Sequence, residues 1–209
     1  MLHFENLYWF FPSAICTDDI KRIIKLGKKQ NKKIGRIGTF PANKFKRLNK
    51  TQNKILKQTR DSHVSFLDER WLYDLIQPYF LSANKSAGWN FDLNWVEQVQ
   101  FTEYTKDQHY DWHCDGGVEV NDDVSSQGHG KIRKLSIVIS LSDPKDYEGG
   151  DFEFQFRSLK DPTLTAIASE LKPLGSVIVF PSYIWHRVKP ITKGLRYSLV
   201  AWVRGHPYR

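Results

Sequence analysis

From Trp89 onward the chain abandons helical spacing for short runs of β-branched and aromatic residues. The runs are WVEQVQFTEY (95–104), HYDWHCD (109–115), KLSIVISLSD (134–143), DFEFQF (151–156), SVIVFP (176–181) and RYSLVAWV (196–203), divided by turn-formers such as DPKDYEGG and KPLG. Strands this closely spaced, with helical patterns only in the first half, leave a β-sandwich or barrel braced by N-terminal helices. Seven tryptophans and thirteen phenylalanines suit such a β-rich core. At 209 residues the chain is long enough for one well-buried domain.

The first half supplies the braces. TDDIKRIIKLGKK (17–29) predicts a helix capped by Thr17, with Asp18 and Asp19 at its positive end, Lys28 and Lys29 at its negative end, and Ile20, Ile23 and Ile24 facing inward. DERWLYDLIQPYF (68–80) predicts a second, with Leu72, Leu75, Ile76 and Tyr79 on one face and Pro78 kinking or ending it. Residues 30–60 read as a polar connection around a short helix, and the apolar N-terminus, MLHFENLYWFFPSAIC, as a first strand rather than a signal peptide.

Charge is unevenly placed. Residues 21–60 hold 15 Lys or Arg and no acidic residue, leaving 16 basic against 23 acidic residues elsewhere. Such a block can face nucleic acid or an acidic partner, or simply water. Because it lacks interleaved aromatics, nucleic acid is a disfavoured partner. Two cysteines without a CxxC, Cys16 and Cys114, support neither a disulfide framework nor structural zinc, and point to a reducing compartment. No apolar run approaches the roughly 20 residues of a membrane span. The expected location is cytoplasmic, or the host cytoplasm if the chain is viral.

In YDWHCDGG (110–117), His113 and Asp115 stand two apart in an extended run, where side chains share a face. They could hold a metal or be a plain hydrogen-bonded pair. His186, in FPSYIWHRV, lies 73 residues on. Two histidines and a carboxylate make the facial triad of non-haem Fe(II) oxygenases, with open coordination positions; zinc on the same ligands would imply hydrolysis. Arg196 follows His186 by ten residues, after a tight TKG turn, and could grip a carboxylate bidentately. Ser198, on the same face, could add a hydroxyl. The aperiodic run 116–130 reads as a loop over the site. Trp112 and Trp185 flank the ligands as groove and core candidates, Cys114 as a small core residue turned from the metal, and His109 and His129 as solvent-facing. Gly149 and Gly150 fit a turn needing positive φ.

Here a resemblance enters. EQVQFTEYTKDQHYDWHCD, RKLSIVISLSDPKDYEGGDFEF and LKPLGSVIVFPSYIWHRVKPITKGLRYSLVAWV, in that order, resemble the catalytic domain of the 2-oxoglutarate and Fe(II)-dependent oxygenases of prolyl 4-hydroxylase type, notably bacterial and viral members. The resemblance covers about the C-terminal half. It implies a double-stranded β-helix, the jelly-roll barrel, with His113, Asp115 and His186 as iron ligands, Arg196 as the 2-oxoglutarate anchor and Tyr104 touching the same cosubstrate. Ser140 stands where some members have a second tyrosine, and Trp202 where the animal oxygen-sensing hydroxylases also have tryptophan, with core packing its expected role.

The implied requirements are Fe(II), 2-oxoglutarate as cosubstrate, O2, and ascorbate as a supporting reductant. The implied reaction is hydroxylation of a C–H bond in a protein or peptide, peptidyl proline being favoured, as 2-oxoglutarate is decarboxylated to succinate. Residues 1–209 are expected to form one oxygenase domain, with 1–88 supporting a catalytic core at 89–209. The alternatives are a nucleic-acid demethylase of the same superfamily, using the basic segment, and a non-catalytic jelly-roll binding protein.

Overall fold

Extended runs with one apolar face pair readily into antiparallel sheets, and the late runs do so here. The computed structural model describes residues 6–35, 57–117, 120–156, 161 and 163–208. Among these the order is β1 (Trp9–Phe11), α1 (Thr17–Lys29), β2 (Lys33–Ile34), β3 (Arg60–Asp61), β4 (His63–Leu67), α2 (Arg70–Ser86), β5 (Trp95–Val96), β6 (Val99–Tyr104), β7 (His109–His113), β8 (Ile132–Ser140), β9 (Tyr147–Gly149), β10 (Phe152–Gln155), β11 (Thr165–Ile167), β12 (Val177–Pro181), β13 (Trp185–Val188), β14 (Ile191–Gly194) and β15 (Arg196–Gly205). The large sheet runs β1-β12-β8-β15-β6-β4-β2, with β5 beside β15; the small one runs β11-β10-β13-β7-β3, and β9 pairs β14.

The large sheet is buried on both faces. One carries Val99, Phe101, Leu135, Ile137, Ile139, Val177, Val179, Leu199, Ala201 and Val203, covered by Ile20 and Ile23 of α1 and by Leu72, Ile76, Phe80 and Ala83 of α2. The other turns Val138, Ile178, Phe180 and Val200 toward Phe152, Phe154 and Val188 of the small sheet. Phe154 meets Phe180 edge-on at 5.1 Å, so the two sheets pack face to face. This is the jelly-roll. Gly27 sets how closely α1 lies on it, because a Cβ there would run into the Phe101 ring.

The helices depart from the sequence reading at their ends. α1 begins where expected, but Cys16, extended at φ −69°, is the capping residue in place of Thr17, and its Sγ lies 3.2 Å from Asp19. α2 runs through Pro78 to Ser86 rather than stopping. Pro78 is exposed, so water can serve the carbonyl that its missing N–H leaves unpaired, while Leu72, Ile76, Phe80 and Ala83 anchor both halves. WVEQVQFTEY is two strands, β5 and β6, and the TKG segment belongs to β14 rather than to a bare turn. Most of the polar connection at 30–60, including Gly38 and Pro41, lies outside the described residues. No helix among the described residues is long and apolar enough to cross a membrane.

Candidate active site

The site is built where β7 meets β13. His113 stands opposite His186 and Tyr110 opposite Val188, so β7 spends one more residue than β13 between these pairs. That bulge puts Tyr110 and His113 on the same inner face, their rings stacked with centroids 3.4 Å apart. β7 ends at His113, so Asp115 does not arrive by strand alternation, as the sequence suggested. It comes in on a bend instead, where the N–H groups of Asp115 and Gly116 both donate to the Ser182 carbonyl, at 2.9 and 3.0 Å.

His113, Asp115 and His186 converge, with one donor atom from each lying within 4.8 Å of the others. His113 Nδ1 is 2.8 Å from the Asp111 carbonyl and His186 Nδ1 is 2.9 Å from that of Ile184. A carbonyl only accepts, so both Nδ1 atoms carry a proton and both Nε2 atoms face the centre. These Nε2 atoms lie 3.6 and 3.5 Å from the two Asp115 carboxylate oxygens. Burial pushes the His186 pKa down to about 4, with His113 adding to the effect and Asp115 opposing it, so the ring is neutral at physiological pH. Burial works to protonate Asp115, but His186, His113 and Arg133 outweigh it and hold the carboxyl well below its usual range. A neutral His186 imidazole beside an ionised Asp115 carboxylate presents the donor states a divalent metal requires.

Arg196 opens β15 on the inner face of the large sheet and is 3% exposed. It pairs across the strands with Tyr104, and its guanidinium lies 5.7 Å from that ring. Among the described residues no carboxylate pairs with it. Burial raises the Tyr104 pKa, opposed by Arg60 and Arg196 and reinforced by Asp115, so this hydroxyl senses both the arginine and the triad. Ser198 is buried between Thr102 and Ser140. Gly149 and Gly150 have φ of 76° and 65°, and a Cβ on Gly150 would lie 3.1 Å from Arg196 Cδ. The glycines therefore let the β9 hairpin close over the arginine stem.

Of the remaining expectations, those for Cys114, Trp185 and His109 need correction. Cys114 is exposed rather than core, because the bend at 114–116 turns it outward. Trp185 is only half-buried, on the outer side of β13 with Arg187, and Arg187 lies 4.5 Å over the Trp112 ring. Trp202 is buried under Arg133 at 4.0 Å, its Nε1 without a hydrogen-bond partner among the described residues. His129 is exposed, while His109 is half-buried beside the Gln58 carbonyl at 2.8 Å. The described part of 116–130 is a series of turns closed at its base by Asn121 and Lys131.

Sequence reasoning missed Arg133, Glu97 and Arg204, which join beside Asp115. A cleft of about 920 Å³ between α2 and β5, lined by Phe66, Tyr73, Leu81 and Trp95, contains none of the triad.

Fold and triad together define a class: a jelly-roll protein with the donor set of non-haem Fe(II) oxygenases. The model of the 2OG-Fe(II) oxygenase superfamily matches residues 99–204. The chain belongs to that superfamily. It is 33% identical over 89 residues to a PKHD-type hydroxylase of Hyphomonas neptunium, covering 42% of this chain and 37% of that one. With a PKHD-type hydroxylase of Cupriavidus metallidurans it shares 29% over 111 residues, 53% of this chain and 44% of the relative. It thus spans less than half the length of these relatives. Among solved structures, the viral collagen prolyl hydroxylase of Paramecium Bursaria Chlorella virus-1, in its 2OG complex, aligns with TM-score 0.63 at 19% identity, covering 96% of this chain and 97% of that one. A Trichoplax adhaerens prolyl hydroxylase, in complex with a hypoxia inducible factor peptide fragment, aligns with TM-score 0.66 at 15% identity, covering 95% and 84%.

Proposed function

We propose that the chain is an Fe(II)- and 2-oxoglutarate-dependent dioxygenase that hydroxylates a C–H bond in a protein or peptide, with peptidyl proline the favoured substrate. The observation that carries this is a His–Asp–His donor set on the small sheet together with a buried arginine on the inner face of the large sheet that has no carboxylate partner among the described residues. His113 Nε2, His186 Nε2 and an Asp115 oxygen would hold the iron. Arg196 would grip the distal carboxylate of 2-oxoglutarate with two parallel N–H groups, while the Tyr104 and Ser198 hydroxyls hydrogen-bond the same molecule. Fe(II) bound there supplies the O2 chemistry that couples decarboxylation of 2-oxoglutarate to succinate with oxygen transfer to the substrate C–H, ascorbate being an auxiliary reductant.

The protein contributes placement. The Nδ1–H bonds keep both imidazoles in the ligating tautomer, and the packed phenylalanines beneath His186 exclude water from its far side. Segments 1–88 and 89–209 act as one domain on this reading, because α1 and α2 bury the outer face of the sheet that carries Arg196. The hydroxylase names of the relatives and the peptide held by one structural neighbour support a peptide substrate.

The test is succinate formation from 2-oxoglutarate with and without added Fe(II), using proline peptides against methylated oligonucleotides. Iron-dependent turnover with the peptides is expected. His186→Ala should lose it while keeping the wild-type circular dichroism spectrum. Undiminished turnover in that variant would sink the metal assignment.

A further inference from the structure

We infer that Arg133 is a positioning residue for the ligand Asp115, and that Glu97 sets its hold; this rests on the metal-site reading above. Asp115 lies past the end of β7, where no strand partner fixes the backbone. Its peptide is gripped from both sides instead. The N–H donates to the Ser182 carbonyl at 2.9 Å, and the C=O accepts from Arg133 Nη1 at 3.1 Å. Ser182 is itself tied to Ser136 by a 3.0 Å hydroxyl contact and leads into the strand that carries His186.

Arg133 is aimed by Glu97. Its Nε and Nη2 donate to the two Glu97 oxygens at 2.6 and 2.7 Å, and its guanidinium stacks on Trp202. The same carboxylate accepts from Arg204 Nε at 2.6 Å, and Arg204 Nη1 donates to the Lys131 carbonyl at 3.0 Å. Lys131 also accepts from Asn121 N–H at 3.0 Å, closing the base of the loop. One carboxylate, through two arginines, therefore holds the chain both where it leaves the metal ligand and where it returns.

Only a guanidinium can do this at position 133. It has donors on three nitrogens in one plane, enough to bind Glu97 with two and Asp115 with the third. A lysine keeps the charge but cannot span both partners.

The test titrates the metal-free protein with Co(II), read by visible absorption, in wild type, Arg133→Ala, Arg133→Lys and Glu97→Gln. Loss of an outer partner of a metal ligand typically weakens metal binding about 10- to 100-fold, and Arg133→Ala should fall in that range. Arg133→Lys and Glu97→Gln should be weakened less. The apparent KM for 2-oxoglutarate at saturating Fe(II) should stay at the wild-type value in all three. Methylguanidinium added to Arg133→Ala should restore Co(II) affinity, which repair of a general folding defect would not do. If Arg133→Ala does not fold, the two conservative variants carry the test. Wild-type Co(II) affinity in folded Arg133→Lys and Glu97→Gln overturns the inference, and so does weakened binding in Arg133→Ala that methylguanidinium leaves unrepaired. A wild-type protein that binds no Co(II) overturns the metal-site reading itself.

Discussion

Arg196 sits at a point where a buried cation must find an anion, since leaving a charge unpaired in a dry interior is costly. A bidentate guanidinium–carboxylate pair is worth roughly 2–4 kcal/mol when truncation strands the partner. With each 1.4 kcal/mol a factor of ten, Arg196→Ala should raise the apparent KM for 2-oxoglutarate about 30- to 1000-fold, and Arg196→Lys should fall between. Co(II) affinity should change little in either. Unaltered 2-oxoglutarate dependence in the alanine variant would leave Arg196 a packing residue only. The grouping of His113, Asp115 and His186 was legible because each sits in a short motif, although a bend rather than strand spacing delivers Asp115. Arg133 was not, because its meaning depends on Glu97, 36 residues earlier, and Glu97 in turn on Arg204, 107 residues later. Cys114 misled for a related reason: strand alternation was extended two residues past the point where β7 ends.

Among the elements, α1 on β6 gives a reversal of a common rule. A Gly→Ala change within a helix normally stabilises by up to about 1 kcal/mol, since glycine is the poorer helix former. At Gly27 the new methyl would overlap the Phe101 ring, and overpacking typically costs about 1–3 kcal/mol. Gly27→Ala should therefore lower the urea midpoint, and a raised midpoint would mean that α1 can ride outward freely. The link between β5, β8 and β15 gives a pH dependence. Burial opposes the Glu97 charge, but Arg133 and Arg204 outweigh it and lower the pKa from its ordinary 4.5. A carboxylate depressed on folding stabilises above its unfolded pKa and loses that contribution as pH falls through the folded one. Wild type should thus lose stability below about pH 4.5 more steeply than Glu97→Gln, which should already be the weaker of the two at pH 7. Parallel melting curves for the two proteins from pH 7 to pH 3 would refute this. The long runs that became β6, β8, β12 and β15 were legible from their β-branched content. β9 and β11, three residues each, were not, because their pairing comes from neighbours across the sheet. Pro78 does not end α2, because its cost depends on exposure, which the local sequence does not carry.

At the scale of the whole molecule the main charge feature is the basic block at 21–60, whose last residue, Arg60, lies 4.4 Å over the Tyr110 ring that stacks on His113. In its described part, Arg22 lies 3.8 Å over Trp71, Lys28 4.9 Å over Tyr197, and Lys32 2.8 Å from Glu103, while Arg60 Nε donates to Ser62 Oγ at 3.0 Å, so the protein itself engages these cations. No nucleic-acid complex should be measurable near physiological salt. A tight, salt-sensitive shift in a gel assay would revive the demethylase alternative. A last consequence follows from the order of the large sheet. β15 comes latest in the chain among the described strands, yet it lies between β8 and β6 and carries Arg196. On the ribosome, β8 and β6 therefore emerge long before the strand that joins them, each with an open edge and an uncovered apolar face. Folding must wait for residue 205 to clear the exit tunnel, which makes the nascent chain a candidate for chaperone capture throughout its synthesis.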